Sequence, residues 1–94
     1  MLQQIEELLS ADAPNLDTLE ATLTEGYAQA LALEAERWRL ERRLGEVARN
    51  GGVEVGEEIS SLGRRLTLAD DELGKLRTLL GTLHERARTA RAAS

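Results

Sequence analysis

Apolar residues recur at alternating spacings of three and four along most of this 94-residue chain. That is the period of helices that bury one side. Three segments carry it. Leu2, Ile5, Leu8 and Leu9 mark a short helix over 2–10. A helix of that length is marginal alone in water, so it is expected to dock on the rest of the chain. Asp12-Ala13-Pro14-Asn15 interrupts the pattern. Asn15 can cap the next helix, or Pro14 can sit in its first turn.

The second segment predicts a helix over 16–49. In a heptad frame with Leu16 at a, the a positions are Leu16, Leu23, Ala30, Arg37 and Leu44, and the d positions are Leu19, Gly26, Leu33, Leu40 and Val47. The third predicts a helix over 53–92. Its a positions are Ile59, Leu66, Leu73, Leu80 and Ala87, and its d positions are Val55, Leu62, Ala69, Leu76, Leu83 and Ala90. No charge interrupts this second stripe, which is the signature of a long paired helix. Arg37 is the one charge on the first stripe. Such a residue sets register while its head reaches solvent.

Asn50-Gly51-Gly52 separates the two helices and offers left-handed residues to end the first. So short a link forces the helices to fold back on each other. The expected fold is therefore all-α: an antiparallel two-helix coiled-coil hairpin with a short N-terminal helix, one domain over 1–94, forming a four-helix arrangement by dimerisation.

Flanking charges suggest a register. Pairing Leu40 with Ile59, Leu33 with Leu66, Leu23 with Leu76 and Leu19 with Leu80 sets Arg43 beside Glu58, Glu36 beside Arg65 and Glu20 beside Arg77, all of opposite sign. Slipping by one heptad sets Arg43 against Arg65, Glu36 against Glu72 and Glu34 against Asp70, all repulsive. On ~0.3–0.5 kcal/mol per exposed pair, the first register is expected.

Composition fits helix-on-helix packing. Aromatics are 2% of the chain, with one Trp, one Tyr and no Phe, so Leu and Ala must supply the core. The net charge of −5 speaks against nucleic acid as a partner. The first 36 residues hold eight acids and no Lys or Arg; all twelve basic residues lie between Arg37 and Arg91. With no Cys, disulfides and thiolate sites are excluded. No signal-like N-terminus or membrane-length apolar run appears, so a cytoplasmic location is the expectation.

A second face changes the picture. Tyr27, Leu31 and Trp38 lie off the first stripe but on one flank. The same flank of the third segment carries Gly56, Ser60, Gly63, Thr67, Gly74 and Gly81. Glycine within a helix costs ~1 kcal/mol relative to Ala, so four on one flank call for a reason. Close approach of another helix or of large side chains is such a reason. The short first helix, ~14 Å long, reaches only to about Tyr27, leaving Leu31 and Trp38 uncovered. Leu68 and Leu79 are on the opposite flank, and Leu79 is the better candidate for cover by Leu2, Ile5 and Leu9.

Nothing in the chain forms a catalytic constellation. His84 has no acids at metal-ligand spacing, and Ser60-Ser61 and Asp70-Asp71-Glu72 lack a general-base partner. No catalytic, cofactor or metal residue is assigned, and no cofactor is expected. The length of the expected hairpin is similar to that of the small WXG-type secreted proteins. Their Trp-x-Gly turn is missing, since Trp38-Arg39-Leu40 falls within a helix. Leu23-Thr24-Glu25-Gly26-Tyr27 resembles the opening motif of Gre-type transcription factors but is one residue short, and the acids Glu54, Glu57 and Glu58 lack their Asp-rich tip. Neither family is adopted. The expectation is a non-enzymatic interaction module that dimerises through Tyr27, Leu31, Trp38, Gly56, Ser60, Gly63, Thr67 and Gly74, with no membrane or nucleic-acid partner. The alternative is an accessory regulator that docks its acidic tip or its Trp face on a larger machine.

Overall fold

The structure, a computed structural model, describes residues 1–11, 15–51 and 55–93. It is all-helical: α1 (Leu2–Ser10), α2 (Leu16–Arg49) and α3 (Val55–Ala93). The expected start of the third helix at Val53 lies outside the described residues. So do Pro14 and Glu54. The molecule measures 62 × 18 × 14 Å, about two helix diameters in its widest section.

Local signals set the helix ends. Asn15 is the N-cap of α2, its side-chain oxygen accepting from the Asp17 N–H at 2.7 Å. At the other end the Asn50 N–H donates to the Glu46 carbonyl at 3.0 Å. Left-handed residues were expected over Asn50-Gly51-Gly52; neither Asn50 nor Gly51 is one, and Gly52 lies outside the described residues. Asn50 closes α2 at φ −95°, and no described residue has a positive φ. The α2 terminus is thus a continuation of the helical bonding, with no reversal at Asn50 or Gly51.

Burial follows the heptad frame. Every buried residue of α2 and α3 is an a or d position: Leu19, Leu23, Gly26, Ala30, Leu40 and Val47 on α2, and Leu62, Ala69, Leu73, Leu76, Leu80, Leu83 and Ala87 on α3. Ile5 of α1 is the other fully buried side chain, packed with Leu19, Leu23, Leu73, Leu76, Leu80 and Leu83. α1 lies on the Leu79 side of the pair, where Leu2, Leu9 and Leu79 close over this cluster. Arg86 donates from Nη1 to the Leu9 carbonyl at 2.9 Å, satisfying an orphan acceptor at the end of α1.

Cross-helix partners fall in number on α2 as they rise on α3, the order of two helices running in opposite directions. Arg43 pairs with Glu58 at 2.9 Å and Arg65 with Glu36 at 3.4 Å, as expected. The register is nevertheless the other one. The Leu80 side chain sits on Gly26, not on Leu19. Leu33 packs with the cluster of Leu73, and Leu66 with that of Leu40, so Leu33 does not face Leu66. Arg77 pairs with Glu34, and Glu20 instead takes Arg91 at 2.6 Å.

Volume explains the choice. In the expected register Ala30 would face Ala69, leaving a void, and Arg37 would lie over Leu62. One heptad along, Leu80 fills the notch at Gly26, Leu76 comes against Ala30, and small Ala69 leaves Arg37 room to reach Asp70 at 3.1 Å. Packing at crystal-like density outweighs a few exposed ion pairs. The repulsion counted against this register is relieved diagonally. Arg43, Arg65 and Arg77 are long enough to find Glu58, Glu36 and Glu34, while Arg37 bridges Asp70 and Glu41, the latter at 3.4 Å.

Cover is uneven along the length. Where α1 joins, Leu83 and Ile5 are fully buried. Toward the other end Leu40, Val47 and Leu62 stay buried, while their stripe neighbours Leu44, Val55, Ile59 and Leu66 are only half-buried, as is Leu33. Two helices alone shield the centre of their contact, and a third is needed to close a flank. Mid-molecule burial of Leu33 and Leu66 was expected and is corrected accordingly.

Leu83→Ala is expected to cost about 3–5 kcal/mol, and Leu66→Ala clearly less, in chemical denaturation. Gly26→Leu should destabilise by about 1–3 kcal/mol, because Leu80 already occupies its space. A Gly26→Leu variant that melted with the parent would refute the register.

Candidate interaction surface

The flank facing away from α1 holds three of the four large apolar side chains that the described residues expose. Tyr27 is 48% exposed, Leu31 66% and Trp38 60%. The sequence spacing that placed them on one flank also dictates this exposure. They occupy e and b positions, which a two-helix contact does not cover. The fourth, Leu68 at 68%, is on the α1 flank. It stands beyond the half of the molecule where α1 packs.

Trp38 is not loose. The Arg42 guanidinium lies over its ring, Cζ 4.9 Å from the centroid. The i, i+4 spacing of Trp38 and Arg42 is what makes this cation–π contact. A stacked Arg limits the rotamers of the indole while leaving most of it in water.

A groove of about 450 Å³ opens on the same flank, lined by Tyr27, Ala30, Leu31, Glu34, Arg77, Leu80 and Gly81. Its walls are the Tyr27–Leu31 turn of α2 and the Arg77–Gly81 turn of α3, and Leu80 forms its floor. The Arg77–Glu34 ion pair crosses one end. The structure thus brings Tyr27 and Leu31 together with Gly81. Gly74 borders a different groove, shared with Leu2, Glu6, Asp71 and Leu79 next to α1.

The glycines divide into two kinds. At Gly26 an added Cβ would meet Leu80, so that glycine is demanded by packing within the chain. At Gly56, Gly63, Gly74 and Gly81 a Cβ would find nothing within 4 Å. Packing within one copy therefore does not account for them. Ser60 and Thr67 are exposed, and the Thr67 hydroxyl donates to the Gly63 carbonyl at 3.0 Å, a bond within its own helix.

No protein-family model, curated protein or solved structure matches the chain. Among the described residues there is no group of three or more His, Cys, Asp or Glu side chains placed to hold a metal ion, and His84 is exposed. No described helix is long and apolar enough to cross a membrane.

In dilute protein, where each copy is alone, Gly63→Ala and Gly81→Ala should each stabilise by up to ~1 kcal/mol through helix propensity, read as a higher Tm. Gly26→Ala should gain nothing, since the added methyl must displace Leu80.

Proposed function

We propose that this chain is a non-enzymatic assembly module, a coiled-coil hairpin with α2 and α3 as its arms, which pairs with a second copy into a four-helix arrangement. The observation that carries this reading is the coincidence of two features on the flank away from α1. Three large apolar side chains there are left in water, and the neighbouring face of α3 carries Gly56, Gly63 and Gly81, at which an added Cβ would meet nothing within the chain.

The physical argument is one of incomplete cover. Away from α1, two helices leave the flanks of their shared stripe open. Monomeric proteins rarely leave Trp, Leu and Tyr together in such a place, and larger apolar patches mark contact sites. A second copy supplies the missing layer with the same surface, as two-fold association requires. Aromatic residues are frequent anchors of such contacts. The alternative reading, a regulator docking an acidic tip, has less support. Of the tip acids named from the sequence, Glu54 lies outside the described residues and Glu58 is paired with Arg43.

Sedimentation at micromolar concentration tests the proposal. The parent chain should run as a dimer, and Trp38→Ala should shift it to monomer with its helix content intact. A parent chain that stays monomeric would rule the proposal out.

A further inference from the structure

The exposed Trp38 and the groove at Gly81 lie on one flank at different levels of the same helix pair. The groove spans the levels of Tyr27 to Glu34 on α2. Trp38 stands about 8 residues, or roughly 12 Å, nearer the C-terminal end of α2. A projecting side chain and an open recess of the same chain, displaced along one face, are the two halves of a reciprocal contact. We propose that Trp38 of one copy inserts into the groove formed by Tyr27, Leu31, Leu80 and Gly81 of a second copy, and that the second copy's Trp38 does the same in return. This rests on the assembly reading above and specifies its geometry.

Three observations favour a second copy as the occupant. The first is position. The level halfway between Trp38 and the groove is close to Leu33, and Leu33 is also the middle of α2 (Leu16–Arg49). A two-fold axis through that level therefore seats both indoles and, at the same time, overlaps the two molecules along their whole length. Any other offset would satisfy one condition and lose the other. The second is area. A face 62 Å long and 14 Å wide gives a footprint on the order of 800 Å² for each copy, which is what a stable interface needs.

The third is chemistry. The groove has an apolar floor and walls, with the Arg77–Glu34 pair at one end, and its volume of about 450 Å³ admits an indole. Gly81 is the wall that matters. A Cβ there would meet nothing in the single chain, so the glycine's value lies in what enters from outside. Arg42, stacked on the indole, holds the ring in place before contact and reduces the ordering cost of insertion.

Trp38 is the chain's single tryptophan, so its fluorescence reports the contact directly. Emission and acrylamide quenching are read across a dilution series, with mass followed by sedimentation. In the parent, dimer formation should blue-shift the emission and protect the ring from quencher. Gly81→Leu fills the groove and should weaken dimerisation at least tenfold, returning the emission to that of a ring in water. Leu31→Ser, at a site exposed in the single chain, is the second variant and should act in the same direction. Leu68→Ser, on the opposite flank, should change neither readout. A dimer whose Trp38 stays open to quencher, or one that neither Gly81→Leu nor Leu31→Ser weakens, would overturn the insertion and leave the assembly standing. A chain monomeric at every concentration would overturn both.

Discussion

The contact of Leu80 with Gly26 governs the rest of the molecule. It is a large side chain set into the one d position of α2 that has no side chain. Leu73 would face Gly26 one heptad away, so it is the choice of Leu80 for that notch, with Leu76 rather than Ala69 against Ala30, that settles the alignment of α2 and α3 along their length. Leu33 then belongs with Leu73, and Arg37 comes within reach of Asp70. The arginine flanks adjust to this alignment and do not decide it. Their guanidinium groups end long flexible stems, and the pairs they make are largely exposed, so each contributes little and each can find a partner off its own level. A void between apposed alanines has no such freedom.

That hierarchy explains what could be read from the residues and what could not. The limits of α2 were legible because they depend on local chemistry, with Asn15 as the cap at its start. The buried stripe was legible because a three-and-four spacing of Leu and Ala on α3 permits only one apolar face. Register was misjudged because opposite charges were counted at fixed level, as if side chains were short. The volumes at Ala30 and Ala69, and the room that Arg37 needs, distinguish the two alignments; Gly26 faces a leucine in both.

The candidate surface was legible in the same partial way. Placing Tyr27, Leu31 and Trp38 on a common flank needs only the heptad frame. Their exposure follows from α1 lying on the Leu79 side, where the spacing of its own Leu and Ile residues directs it. The groove itself was not legible. It depends on the level at which Gly81 stands beside Tyr27 and Leu31, and so on the register. The glycines looked alike in the sequence, and only the neighbours of each separate Gly26, which packing demands, from Gly81, which it does not.

The placement of α1 has a consequence for motion. It covers the end of the molecule built from the start of α2 and the close of α3, so the core there has three contributors and is fully dry. The opposite end relies on two helices alone, whose buried Leu40, Val47 and Leu62 are flanked by half-buried Leu44, Val55, Ile59 and Leu66. Opening free energy should therefore be graded along the long axis. Backbone amides near Leu83 would exchange with solvent only through global unfolding, whereas those near Leu44 and Ile59 would exchange through separation of the helix ends alone. The described chain thus has a firm end where α1 packs and, at the C-terminal half of α2 and the N-terminal half of α3, an end that opens at lower cost.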